Sequence, residues 1–131
     1  MAASPLERTQ RWLAESSKGT SVVAVLDDDG VLWLEVPLAD AFDAGQTTIK
    51  PVLELALQRL AASQQRIPGS RMRLAAPTDP GAGPALADRR AVQIRAYLAG
   101  RGVPTQAMRT VPARQPGQVE LQLEAPPRSA L

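Results

Sequence analysis

The chain has no cysteine and no histidine among its 131 residues. It therefore has no thiol nucleophile, no imidazole general base and no cysteine or histidine ligand for a metal. Because no other nucleophile–base pair or metal-ligand set is visible, we expect a protein that is not an enzyme and holds no cofactor or metal. The missing cysteines do not indicate a compartment, since disulfide-free domains occur in reducing and oxidising environments alike.

Aromatic residues are also scarce, so the hydrophobic core has to be built from Leu, Val, Ile and Ala. The 15 basic and 13 acidic residues leave a net charge of only +2. A nucleic-acid-binding domain normally has a basic stripe or aromatic side chains on which bases stack, and this chain has neither. We therefore expect no nucleic-acid partner, and the length predicts a single domain.

Long hydrophobic runs are missing as well. No apolar stretch approaches the roughly 20 residues that a helix needs to span a bilayer. Residues 1–12 lack the apolar segment of a signal peptide. We expect either a cytosolic protein or a soluble piece excised from a larger one.

The first predicted element is a short helix that begins at Ser4-Pro5, with the serine as its N-cap. Its apolar members are Leu6, Trp12 and Leu13, a thin stripe that predicts a loosely docked, peripheral helix. Deleting residues 1–17 should accordingly leave a folded domain.

Two apolar segments at residues 21–26 and 31–38 are predicted to be strands. Between them lies Asp27-Asp28-Asp29-Gly30, which is typical of a hairpin turn. Three aspartates also suggest a calcium site, but the segment lacks the spaced ligands and the distal Glu of an EF-hand loop. The pattern favours the turn.

Two longer helices and two further strands follow along the chain. The helices should begin near Pro51 and Pro84, each with apolar residues at helical spacing. Strands are expected at residues 71–76 and 119–124, the second half-exposed with an alternating pattern. Residues 105–117 are predicted to be irregular.

The order helix, hairpin, helix, strand, helix, strand predicts an α/β (α+β) fold. We expect a two-layer sandwich with helices on one face of a mixed β-sheet, preceded by the short N-terminal helix and hairpin. The periodicities of strands and helices place one set of apolar residues in a common core. That predicted core consists of Leu32, Leu34, Val36, Leu53, Leu57, Leu60, Leu74, Ile94, Leu98, Leu121 and Leu123.

A candidate binding site lies where the predicted third strand leads into the last helix. Thr78 and Asp79 follow the strand, and Arg90 lies early in the helix, so a carboxylate and a guanidinium can face each other across one loop. This pair suits a ligand with both an ammonium and a carboxylate, because Arg can bind a carboxylate with two parallel hydrogen bonds. Substituting Asp79 or Arg90 should remove binding and leave the fold intact.

Several short motifs, in order over some ninety residues, resemble the OmpA-like C-terminal, peptidoglycan-binding domain family, as in Pal, MotB and type VI secretion membrane components. None of these motifs is specific alone, but their order is. They are Phe42-Asp43-Ala44-Gly45, Ile49-Lys50-Pro51, Thr78-Asp79, Arg90-Ala91 within a helical motif that runs from Leu86 to Tyr97-Leu98, Gly102-Val103-Pro104 at the end of that helix, and Val119-Glu120-Leu121.

The resemblance implies a ligand and a role for each site residue. In the family, the Asp of Thr-Asp and the Arg of Arg-Ala hold the zwitterionic end of diaminopimelate in the peptidoglycan stem peptide. These roles fall on Asp79 and Arg90, with Thr78 beside them. The chain departs from the family at Ala76-Pro77, which replaces Gly-His, and in the short loop that follows Asp79, which lacks the family's Asn. The family's Gly-x-Gly-Glu loop and arginine pair before the last strand are also missing.

The resemblance further implies a periplasmic domain of a membrane-anchored or cell-envelope protein. We expect an N-terminal helix and first hairpin strand at 1–30, the OmpA-like domain at 31–125 and a flexible tail at 126–131. One hypothesis is a module that anchors a membrane assembly to peptidoglycan. The alternative is a degenerate scaffold that has lost peptidoglycan binding and contacts proteins of a secretion or stator complex. The expected partners are peptidoglycan, bound weakly or not at all, envelope membrane proteins and a second copy of the chain.

Overall fold

The computed structural model describes residues 4–126, and the predicted tail lies outside this range except for its first residue. The protein combines helices with a five-stranded mixed sheet of strand order β1-β2-β5-β3-β4, which confirms the predicted α+β fold. No helix in the described part is long and apolar enough to cross a membrane. The elements are α1 (Pro5–Ser16), β1 (Val23–Leu26), β2 (Leu32–Pro37), α2 (Leu38–Ala41), α3 (Pro51–Arg66), β3 (Arg71–Ala75), α4 (Pro84–Gly100), a 3₁₀ turn (Thr105–Ala107), β4 (Met108–Thr110) and β5 (Gln118–Glu124).

The predicted hairpin is confirmed, because β1 pairs antiparallel with β2. One oxygen of Asp27 accepts the backbone N–H groups of Asp29 and Val31, both at 2.9 Å, and the other accepts the indole N–H of Trp33 at 2.8 Å. The indole and Val31 bonds favour the charged carboxylate and lower the pKa of Asp27. Gly30 closes the turn at φ +78°, a conformation that other residues rarely adopt. The aspartates therefore build a turn.

All of the predicted core residues are buried, and they form one cluster on the side of the sheet that faces the helices. Pro51 and Pro84 occupy the first turns of α3 and α4, as expected from the fixed φ of proline. The end of α4 is a Schellman motif, in which Val103 N–H donates to Leu98 O at 3.1 Å and Gly102, at φ +94°, donates to Ala99 O. Local sequence signals thus set both boundaries of α4.

The half-exposed pattern predicted for β5 is wrong. This strand lies in the centre of the sheet, and Glu120 and Gln122 on its outer face are buried. Arg114 covers that face: its guanidinium lies 4.0 Å from the centre of the Trp33 ring and donates to Glu120 Oε2 at 3.1 Å. Burial here comes from the loop that precedes β5 and folds back over its outer face, which alternation within the strand cannot reveal.

The stretch predicted to be irregular contains a short strand. Met108–Thr110 pairs in parallel with β3, placing Met108 beside Met72 and Arg109 beside Arg73. Three residues are too few to show a period of two, so the sequence pattern gives no signal for β4.

The prediction of a loosely docked N-terminal helix is also wrong. Leu13 is fully buried and Leu6 nearly so, and both belong to the main core. Trp12 stacks against Arg66, whose guanidinium carbon lies 3.9 Å from the ring centre. Gln10 donates to Ala24 O on β1 at 2.9 Å. A narrow apolar stripe is sufficient to pack this helix firmly, because the Leu13 side chain is completely buried in the core.

Candidate functional site at the Asp79–Arg90 pair

The candidate site lies between the loop that follows β3 and the second turn of α4. Asp79 is in the loop, and Arg90 projects from the helix back beneath it, so the structure brings the two predicted residues together. Arg90 Nη1 and Asp79 Oδ1 are 2.8 Å apart. The pairing expected from the sequence is therefore present.

The environment of Arg90 differs from the expectation. Its side chain has no exposed surface and is the largest fully buried side chain among the described residues. Besides Asp79, its guanidinium donates to Gln46 O at 2.9 Å, to Pro77 O at 3.1 Å and to Asp43 O at 3.2 Å. Four of its five N–H groups are thus bonded within the chain. Arg90 therefore cross-links two loops from a buried position, and its guanidinium is not free to bind a ligand carboxylate.

Asp79 is the more accessible member of the pair, with 18% of its side chain exposed. Its second oxygen accepts the backbone N–H of Gly45 at 2.5 Å. The bonds from Arg90 and then Gly45 stabilise the charged form and lower the pKa of the Asp79 carboxyl. Asp79 is therefore ionised at neutral pH and fixed in orientation.

The segment from Phe42 to Gln46 contributes backbone groups that sequence reasoning missed. Gly45 has φ +69°, which turns its N–H toward Asp79. The Phe42 ring centre lies 5.0 Å from the Arg90 guanidinium carbon, and Lys50 contacts the segment through an ion pair with Asp43 at 3.1 Å. Carbonyl and N–H groups have no residue-specific signature, so only the Phe-Asp-x-Gly resemblance pointed to this segment.

An open cleft lies beside Asp79. Its walls are mostly apolar and include Leu38, Phe42 and Pro80, while Asp79 is the one charged residue among the described residues that line it. Arg90 does not line this cleft. A ligand in the cleft meets one fixed carboxylate against an apolar wall.

Thr78 takes a different position from the one expected. Its hydroxyl donates to Gly83 O at 2.7 Å and so closes the loop before α4. The residue lines a second concavity, together with Pro77, Ala87 and Pro112. Its assignment as a ligand contact stays a prediction. Within residues 4–126, no group of acidic side chains is arranged to hold a metal ion.

No protein-family profile matches the chain, and no curated protein matches its sequence. Solved structures do match its fold. The cell wall anchor of the T6SS from Pseudomonas aeruginosa aligns at 17% identity and a TM-score of 0.67, covering 90% of this chain and 97% of that one. The periplasmic domain of Helicobacter pylori MotB aligns at 17% identity and a TM-score of 0.66, covering 86% and 83%.

The OmpA-like domain of FopA1 from Francisella tularensis aligns at 13% identity and a TM-score of 0.61, covering 80% of both chains. These similarities extend over most of the sheet and its helices. The fold expected from the order of motifs is confirmed: this chain has the fold of an OmpA-like domain.

Proposed function

We propose that this chain is a non-catalytic, periplasmic module of a cell-envelope protein that docks on the diaminopimelate of a peptidoglycan stem peptide and so anchors a membrane assembly. The observation that carries the proposal is a fixed, ionised Asp79 at the wall of an apolar cleft, cross-linked to Arg90. The fold it shares with a T6SS cell wall anchor and a MotB periplasmic domain supports the same assignment.

Asp79 is the residue proposed to receive the ammonium group of the ligand. Its carboxylate is ionised, partly exposed and held in orientation by two hydrogen bonds. A charge-assisted hydrogen bond from an ammonium group would form at little entropic cost because the acceptor is already fixed.

Arg90 is a positioning residue in this proposal. Its guanidinium can reach a ligand carboxylate only if the segment from Asp43 to Gln46 moves away, because the carbonyl groups of those two residues occupy its N–H groups. Binding that engages Arg90 would therefore proceed through an opened state of this segment, and the apparent affinity would be lower than the intrinsic affinity by the fraction of molecules in that state.

The enclosed position of Arg90 also favours the alternative function, a scaffold that binds envelope proteins and no longer binds peptidoglycan. A carboxylate-binding arginine that is enclosed and bonded to its own backbone contributes to stability whether or not a ligand exists. The two functions differ in one measurable property, the retention of peptidoglycan by the folded chain.

The test is a pull-down of the purified chain with peptidoglycan sacculi, compared with Asp79→Asn and with Asp88→Asn as a matched control. Asp88 is an exposed carboxylate on the adjacent helix. Retention that is lost in Asp79→Asn, kept in Asp88→Asn and competed by free diaminopimelate supports docking. Retention that survives Asp79→Asn contradicts the site, and no retention of the parent chain supports the scaffold. Thermal melts of each variant confirm that it is folded.

A further inference from the structure

A cluster of arginines lies on the outer face of the sheet, opposite the helices. Arg71 and Arg73 alternate along β3 toward this face, and Arg109 on β4 is the register partner of Arg73. We call Arg71, Arg73 and Arg109 the arginine face. Adjacent strands lie about 4.8 Å apart, so Arg73 and Arg109 are neighbouring like charges, which repel each other.

These charges are only partly neutralised within the protein. Arg73 pairs with Glu124 at 2.8 Å. Arg71 and Arg109 are exposed, and neither makes an ion pair among residues 4–126. The arginine face thus keeps a net positive charge that an anionic partner would neutralise.

The arginine face borders an open edge of the sheet. Val111 N–H donates to Leu74 O at 3.0 Å, which in a parallel ladder directs the N–H and C=O of Thr110 away from β3. No strand of the described part pairs with that side of β4. The opposite edge differs, because Gln10 on α1 donates to Ala24 O of β1. One edge is covered and the other is available for strand addition.

We propose that the β4 edge binds an extended, acidic segment of a partner protein. The added strand pairs with the backbone of Thr110, and its alternate carboxylates contact Arg109 and Arg73. Arginine suits this role because it binds carboxylates with two parallel hydrogen bonds. A peptide fits better than a nucleic acid because the aromatic ring on this face, Trp33, is covered by Arg114 and offers no stacking surface. This surface is separate from the Asp79 cleft, so the proposal does not depend on peptidoglycan docking.

The probe is an N-acetylated, C-amidated peptide of alternating Glu and Val, titrated into the ¹⁵N-labelled chain and followed by NMR. We expect saturable shifts of the Arg109 and Thr110 amide signals. A matched peptide of alternating Gln and Val should bind far more weakly, and added salt should reduce binding of the acidic peptide because exposed charges are screened.

Two variants separate charge from backbone pairing. Arg109→Glu should weaken binding about fivefold to tenfold, since one attraction is replaced by a repulsion, while Arg89→Glu, an exposed arginine on α4, should leave it unchanged. Thr110→Pro keeps every charge and removes the outward N–H, and it should also weaken binding. The spectra show whether each variant is folded.

Several results would overturn the proposal. They are equal binding of the Gln-Val peptide, shifts confined to another surface, no shifts at millimolar peptide, or unchanged affinity in both Arg109→Glu and Thr110→Pro. Self-association of the chain that Arg109→Glu abolishes would assign the edge to a second copy instead.

Discussion

Replacing Arg90 with alanine should destabilise the protein strongly, contrary to the sequence-based expectation that this residue serves binding alone. The substitution removes four hydrogen bonds and leaves a cavity beside Phe42. It also leaves Asp79 without its cation. Breaking a buried charged pair typically costs about 3–5 kcal/mol. Since a chain of this size has a free energy of unfolding of about 5–15 kcal/mol, the loss is a large part of the total.

The assay is urea unfolding followed by circular dichroism, with a thermal melt in parallel. A loss of about 3–5 kcal/mol corresponds to a decrease in Tm of about 10–20 °C for a domain of this length. Arg89→Ala is the matched control, because this neighbouring arginine is exposed on the same helix and should change stability by less than about 0.5 kcal/mol. Arg90→Lys should be nearly as damaging as Arg90→Ala, since an ammonium cannot reach four divergent acceptors.

If Arg90→Ala and Arg89→Ala had the same stability, the reasoning would be refuted. Such a result would mean that the guanidinium is solvated in solution and free to bind a carboxylate.

Three other predictions follow from the packing and the lowered carboxyl pKa values. Leu57→Ala and Leu98→Ala remove fully buried side chains and should each cost about 2–5 kcal/mol in urea unfolding; a loss below about 1 kcal/mol at both would contradict the core assignment. Deleting residues 4–17 exposes the core that Leu6 and Leu13 cover, so the melting transition should shift to lower temperature or lose cooperativity, and an unchanged Tm would show that α1 is dispensable. Asp27 and Asp79 have folded-state pKa values below the ordinary 3.8, so their stabilisation is complete above pH 3.8 and is lost as the pH falls through the lower folded values. Tm measured from pH 7 to pH 2 should decrease in this acid range, and it should decrease less in an Asp27→Asn/Asp79→Asn variant.

The fold could be predicted to the extent that its signals are local. Pro51, Pro84 and the Gly102 turn marked the helix boundaries, and alternation in β2 marked its buried face. The failures concern properties that depend on contacts outside the element itself. Glu120 is buried because Arg114 folds over it, and β4 exists because β3 offers an edge.

The candidate site shows the same limit. The resemblance located Asp79 and Arg90, and the structure places them 2.8 Å apart. Sequence could not show that Arg90 is enclosed, because three of its four acceptors are backbone carbonyl groups whose positions depend on the loop conformation. Arg90 does lie four residues from both Leu86 and Ile94, on their buried face, but this spacing cannot show which groups bond its guanidinium.

The central position of β5 has a consequence for how the chain folds. β2 pairs with β1 and β5, while β3 pairs with β4 and β5, so the two halves of the sheet share no ladder until residues 118–124 join them. During synthesis from the N-terminus, the edges of β2 and β3 that pair with β5 would remain unpaired until residues 118–124 have emerged. Closing such distant contacts slows folding, so refolding should be a single slow step that a chain truncated before Gln118 cannot complete.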